Sequence, residues 1–324
     1  MPALSAADVV AVITSYNPSS SILAACTSVS GQVARVVVVD DGSDGSVDIL
    51  DQCAALGCTV VRLAVNSGIA AALNAGVAEA TNTAATNTEA TNTEATNANG
   101  TPSFVLTLDQ DSRVGPTYVS ELLAAWSSAL AAGVPVAMVA PETVEGLPTR
   151  VRTVRGSTLI GDEPIQSGLL IAADTLARLG PFLEPLFIDG VDTEFFLRGR
   201  AAGLETIVAR GARVSHSLGD RHYPTIFGRR IVVAGSEVGL VRSAPFRYYY
   251  IARNHVHLLR EYGRTQRRWA IRETFLDLRH FAVVLVLIPG RWRRLRLIVM
   301  GVLDGLRRVS GKMPERAAAL ASGR

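Results

Sequence analysis

The chain has 324 residues, 48% of them hydrophobic and 19% charged, with a formal net charge of +3, a composition that excludes a disordered chain. Its three cysteines, Cys26, Cys53 and Cys58, have neither framework nor CxxC spacing, which excludes a secreted disulfide scaffold and a zinc ribbon. No basic segment followed by an apolar one opens the chain, so no signal peptide is read and a cytoplasmic protein is expected.

A β-branched run over residues 9–13 predicts a first strand, ending at Thr14-Ser15-Tyr16-Asn17-Pro18, and residues 21–28 have helical character. Residues 35–39 are apolar on both faces, as in a central parallel strand, and stop at Asp40-Asp41-Gly42-Ser43. A helix over 46–56 and a strand over 59–63 lead to Asn66-Ser67-Gly68, and a third helix is expected from 69 to 80. Residues 81–101 repeat a Thr-Asn-Thr-Glu-Ala pentad and hold no large apolar residue, so they read as a disordered surface insertion. A strand over 104–108 ends at Asp109-Gln110-Asp111. A helix over 116–132 and a strand over 136–140 come next. Residues 149–165 read as a loop or hairpin, Gly168 to Ala172 as a buried strand, 192–202 as a helix, and 205–209 and 212–215 as short strands.

Strand–helix alternation predicts an α/β fold with a mostly parallel, doubly wound sheet, and its ligand site should lie at the carboxyl ends of the strands. The acidic and polar clusters sit at those ends. Past residue 225 the composition shifts, and 226–324 is expected to be a helical, arginine-rich region. Residues 281–288 are apolar but too short to span a bilayer. Residues 291–308 mix arginine with Trp292, Leu295 and Val299, the pattern of a basic amphipathic helix on a membrane surface, or of an ordinary helix packed on the domain or a second subunit. The expected partner of this charge is an anionic surface, not nucleic acid, and a homo-oligomer remains open.

Several clusters carry chemistry. Asp109 and Asp111 can face the same way past the end of a strand. Crowded carboxylates repel unless a cation lies between them, and Mg2+ or Mn2+ suits such a pair; a turn or cap is the ordinary alternative. Carboxylates at Asp40 and Asp41 can accept hydrogen bonds from a nucleobase or ribose, or serve only the turn. Asn66 and Gly68 open a helix, and Asn74 follows within it, amides suited to a phosphate-bearing ligand. Asp192, in Asp189-Gly190-Val191-Asp192-Thr193-Glu194, is a cap or a general base. His216 is a structural imidazole or a further metal ligand.

In this order the clusters resemble the inverting GT-A glycosyltransferases of family 2, over roughly residues 9–221. Asn66-Ser67-Gly68-Ile69-Ala70 with Asn74 and Gly76 is similar to the family's N-x-G-x-A-x-x-x-N-x-G pattern, and Asp109-Gln110-Asp111 to its D-x-D. Within the family the chain looks most like bacterial rhamnosyltransferases, through Ile188-Asp189-Gly190-Val191-Asp192-Thr193-Glu194-Phe195, His216-Ser217-Leu218-Gly219-Asp220 and Tyr249-Tyr250-Ile251-Ala252-Arg253-Asn254-His255. The resemblance implies a GT-A domain over 1–225, interrupted by the 81–101 insertion, and a C-terminal helical extension over 226–324. It implies a dTDP-L-rhamnose donor and a polysaccharide or lipid-linked glycan acceptor at the inner face of the cell membrane. Asp192 is then the base. Thr14, Tyr16, Asp40, Asp41, Asn66, Gly68, Asn74, Asp109 and Gln110 bind nucleotide-sugar. Asp109, Asp111 and His216 hold Mg2+ or Mn2+, and Gly168, Asp189 and Glu194 serve the acceptor side. The alternatives are another donor such as UDP-galactofuranose, or a nucleotide-binding protein without turnover. A nicotinamide-dependent oxidoreductase is disfavoured, because no G-x-G-x-x-G follows Ile13.

Overall fold

The computed structural model describes residues 4–82, 103–215, 220–223, 225–226, 229–230, 232–233, 236–237 and 240–323. The expected disordered insertion past Asn82 and the expected ligand His216 lie outside the described residues. Two compact units form. The first holds residues 1–184 and 191–217, the second residues 185–190 and 218–324.

The first unit is built on strands β1 (Val9–Ser15), β2 (Arg35–Asp40), β3 (Thr59–Arg62) and β4 (Phe104–Asp109). Further strands are β5 (Arg113–Val114), β6 (Val136–Val144), β7 (Leu147–Pro148), β8 (Val151–Arg155), β9 (Thr158–Gly161), β10 (Leu169–Ala172) and β11 (Glu205–Ser215). Their order is β3-β2-β1-β4-β10-β6-β11-β9-β8, with β5 on β11 and β7 on β6. The pairs β3-β2, β2-β1, β1-β4 and β6-β11 are parallel, and β10 runs antiparallel between β4 and β6. The expected α/β sheet is therefore parallel in its first half and mixed beyond β4.

Helices α1 (Ser21–Ser30), α2 (Val47–Ala55), α3 (Ile69–Thr81), α4 (Tyr118–Ala131), α5 (Ala173–Leu179) and α6 (Val191–Ala201) connect the strands. Pleat alternation sends Val9, Ala11 and Ile13 to one side of the sheet, into a core with Ile22 and Cys26 of α1, Leu50 of α2 and Leu122 of α4. Val12 and Val39 meet α3 at Gly76, where a Cβ would lie 2.2 Å from Val12 Cγ1. Any side chain at 76 would lift α3 off the strands. The two short strands expected over 205–215 are one strand, β11, with a register shift between Ala209 and Arg213, and residues 149–165 contain the β8–β9 hairpin.

Among the described residues, the 220–242 stretch of the second unit forms three two-stranded ladders rather than helices. They pair β12 (Asp220–His222) with β17 (Leu240–Arg242), β13 (Thr225–Ile226) with β14 (Arg229–Arg230), and β15 (Val232–Val233) with β16 (Ser236–Glu237). Helices α7 (Pro245–Tyr262), α8 (Arg267–Leu287), α9 (Arg291–Leu306) and α10 (Glu315–Ser322) follow. The apolar run 281–288 is thus the tail of a longer helix, α8, with Ile288 just past its end. Gly301 and Gly305 let α9 lie against α7, since a Cβ at Gly301 would sit 2.3 Å from the Tyr249 carbonyl oxygen. A buried polar network centres on α7. Asn254 Nδ2 donates to the carbonyls of Leu186, Ile188 and Asp189 at 2.9, 2.8 and 2.7 Å. The fully buried Arg253 guanidinium donates to Gly311 O at 2.6 Å and Leu186 O at 2.8 Å. Tyr249 Oη donates to buried Asp304 at 2.9 Å. The Tyr249-to-Asn254 motif therefore clamps the 185–190 segment.

Candidate active site

Parallel pairing aligns the carboxyl ends of three strands. Ser15 is registered with Asp40, and Thr14 with Asp109. Asp40 and Asp41 are both buried there. The Asp41 carboxylate accepts Ser67 N–H at 2.7 Å and Gly68 N–H at 2.8 Å, so it holds the turn that leads into α3 from a different loop. Gly42, at φ +66°, has the backbone of Val65 and Asn66 where a Cβ would be. Asp40 accepts Ser43 Oγ–H at 2.5 Å and Ser43 N–H at 3.1 Å, and Ser43 Oγ accepts Asn17 N–H at 2.6 Å. The two carboxylates thus organise the loops first. Asn66 Oδ1 is buried with no hydrogen-bond partner, which leaves an acceptor at the start of α3.

Asp109 ends β4, and Gln110 and Asp111 follow it, all three half-buried. Gln110 Oε1 accepts Tyr16 N–H at 2.9 Å, joining the loops after β1 and β4. Thr14 is buried, while Tyr16 is exposed. Among the described residues no group of three or more His, Cys, Asp and Glu is arranged to hold a metal ion. Asp109 and Asp111 supply hard carboxylate oxygens. That set fits Mg2+ or Mn2+, which take one or two carboxylates and leave the rest of the shell to water and phosphate.

The segment Gln166-Ser167-Gly168 joins this edge to α6. Thr107 Oγ1 donates to Gln166 O at 2.7 Å, and Asp109 N–H donates to Ser167 Oγ at 3.2 Å. Asp192, in the first turn of α6, accepts Gln166 N–H at 3.1 Å on one oxygen and Thr193 N–H at 2.9 Å on the other. Gly168 adopts φ +94°, and a Cβ there would lie 2.4 Å from Tyr118 Oη. Tyr118 Oη donates to Gly168 O at 2.7 Å. Burial pushes that phenol well above its ordinary range, so it stays a neutral donor.

Other expected site residues have protein partners that define them. Asn74 meets a neighbouring loop: Nδ2 donates to Phe182 O at 3.0 Å and Glu184 Oε1 at 2.9 Å, and Oδ1 accepts Phe182 N–H at 2.8 Å. Both amide N–H donors are used within the protein, while Oδ1 keeps a second lone pair. Buried Glu194 pairs with Arg198 at 2.7 Å, one turn on within α6. Asp189, at φ +62°, belongs to the second unit and pairs with Arg247. Both thus have ion-pair partners within the protein. Gln166 escaped the sequence reading, since a glutamine in a polar stretch carries no periodic or motif signal.

The profile of glycosyl transferase family 2 matches residues 10–177. The dTDP-rhamnosyl transferase RfbF of Shigella flexneri is 25% identical over 318 residues, 94% of this chain and 97% of that one. S. aureus TarS 1-349 in complex with UDP-GlcNAc superposes with a TM-score of 0.54 at 16% identity, over 96% of this chain and 83% of that one. The longer S. aureus TarS gives 0.53 at 15% identity, and this chain spans half its length.

Proposed function

The chain belongs to glycosyl transferase family 2 and is a glycosyltransferase, and on that premise we propose that it moves L-rhamnose from dTDP-L-rhamnose, with inversion, to a hydroxyl of a polysaccharide or lipid-linked glycan. The rhamnose assignment rests on the likeness to RfbF along nearly the whole of both chains. The mechanistic reading rests on one observation: residues 166–168 bond both to the β4 edge that carries Asp109 and to the Asp192 carboxylate.

In this reading Thr14, Tyr16, Asp40, Asp41 and Asn66 hold the nucleoside and its phosphates, beside the Gly68 turn. Gln110 fixes the loop that carries Tyr16. Asp111, with Asp109 and His216, would hold a divalent cation, which when bound neutralises the diphosphate leaving group. Asp192 takes the proton of the acceptor hydroxyl. The acceptor oxygen forms its bond to the anomeric carbon from the face opposite the diphosphate. The anomeric carbon–oxygen bond breaks, its electron pair leaves with dTDP, and the configuration inverts. Two backbone N–H groups aim the Asp192 carboxylate for that role. In this reading the transfer takes place at the inner face of the cell membrane, where a lipid-linked acceptor would be met.

The test is a donor panel with purified protein and Mg2+ or Mn2+, scoring nucleoside diphosphate release from dTDP-L-rhamnose, UDP-sugars and GDP-mannose in the presence of a glycan acceptor. Release from dTDP-L-rhamnose alone, abolished by chelator, is expected. Release from a different donor overturns the sugar. Asp192→Asn is expected to lower kcat at least ~10²-fold while donor affinity stays near wild type; near-normal turnover would remove Asp192 as base.

A further inference from the structure

The sequence singles out residues 291–308 as a surface helix, but the structure spends one face of α9 inside its own unit. Leu297 and Ile298 are buried, and Gly301 and Gly305 abut α7. A second and more exposed apolar stripe lies on α8. Ile271, Phe275, Leu278 and Val286 each expose 62–73% of their surface, and Ala282 between them is exposed too. The spacing i, i+4, i+7, i+11, i+15 sets all five on one stripe. The opposite face packs inward through Trp269, Val284 and His280, the last stacked on Tyr248. A helix of this length is ~30 Å long, so the stripe is a continuous apolar band rather than scattered exposed residues.

The charges say what covers it. Residues 264–308 hold eleven arginines and three acids, a net +8 in a chain whose total is +3. Every exposed charge in that range is an arginine. The acids are at least half-buried and have partners: Glu273 pairs with Arg272, Asp277 with His255, and Asp304 with Arg316. On the helical wheel Arg267, Arg268 and Arg279 flank the α8 stripe. Exposed Arg296 lies among Trp292, Val299 and Leu303 on the free face of α9. A second copy of the chain would bring arginine against arginine across a two-fold contact. A phosphate polymer would satisfy the arginines but leave Ile271, Leu278 and Val286 in water. An anionic bilayer surface satisfies both, by taking the apolar stripe below its headgroups and the guanidinium groups among its phosphates. No helix among the described residues is long and apolar enough to cross a membrane.

We infer that the exposed face of α8, supported by the free face of α9, docks on an anionic phospholipid surface, lying in the interface without spanning it. This rests on the transferase reading only for its use, delivery of the site to a lipid-linked acceptor. The docking itself needs neither donor nor acceptor, so a silent donor panel leaves it standing, and its own failure leaves the chemistry standing.

The test is flotation of the full chain with phosphatidylcholine vesicles, with and without phosphatidylglycerol, at physiological salt. Flotation with the anionic vesicles and little with the neutral ones is expected. The combined variant Ile271→Ser, Phe275→Ser, Leu278→Ser should bind at least about tenfold more weakly. Arg267→Gln, Arg268→Gln, Arg279→Gln should lose on the order of 10²-fold. Circular dichroism and nucleotide release with a soluble acceptor should stay at wild-type values in both. Three results would each overturn the inference. One is wild-type protein that stays at the bottom of the anionic gradient. Another is a serine variant that floats as well as wild type. The third is sedimentation showing a dimer that the serine variant dissolves.

Discussion

Gln166 is buried, and its Nε2 has no hydrogen-bond partner, while its backbone N–H holds the Asp192 carboxylate. An unmet buried donor costs ~1–3 kcal/mol, a cost a protein keeps where a ligand group relieves it. Gln166→Leu keeps the backbone contact and removes the unmet donor. Thermal stability should hold or rise, whereas kcat/KM should fall about tenfold or more. A variant that loses stability and keeps turnover would make Gln166 a packing residue. Two residues on, Gly168 makes the opposite case. It has the left-handed φ that glycine tolerates, and its missing side chain gives Tyr118 its place. Gly168→Ala should destabilise by about 1–3 kcal/mol, read as a lowered melting temperature. Neither property was visible in the residue string. The sequence brought out the acids because they cluster at strand ends. It could not tell that Asn74 braces residues 182–184, because a helical asparagine looks the same whether its amide meets a loop or a ligand.

At the scale of elements, legibility followed burial. The strands β1, β2 and β4 were plain because β-branched runs buried on both faces have few other homes. The four-residue β10 was also plain as a strand. Its antiparallel direction was not, because a short, wholly buried run has the same composition either way. Helix α8 was hidden: its first half alternates charge with apolar residues, and only the tail stood out. That helix carries a pH dependence. Burial holds His280 below the ordinary histidine value of 6.5, with Asp277 opposing the shift and Arg279 adding to it. The folded state therefore keeps the ring neutral while the unfolded chain protonates it. The associated stability is present above pH 6.5 and is lost as the pH falls through that value toward the lower folded-state pKa. His280→Phe keeps a ring stacked on Tyr248 and removes the titration. Melting curves from pH 7.5 to 5.5 should fall less steeply for the variant than for wild type. Parallel curves would mean that His280 does not titrate on unfolding in this window.

For the whole molecule, the sequence separated what builds the core from what interrupts it. The family profile spans residues 10–177 across the pentad repeat, and the likeness to RfbF extends over 318 residues. The framework on either side is in place: α3 ends at Thr81, with Gly76 against Val12, and β4 starts at Phe104, paired with Val9. No large apolar residue lies in 81–101, so the repeat has nothing to contribute to the hydrophobic term. Loop length itself weighs little on stability, about 0.6 kcal/mol per doubling. Replacing residues 83–102 with about six residues of Gly and Ser keeps the connection within the usual range for α/β units. The shortened chain should melt within a few degrees of wild type and release nucleoside diphosphate at an undiminished rate. If it melts normally but turns over slowly, the repeat acts on substrate or product. If it fails to fold, the connection between α3 and β4 needs the natural length, and the repeat is a structural spacer.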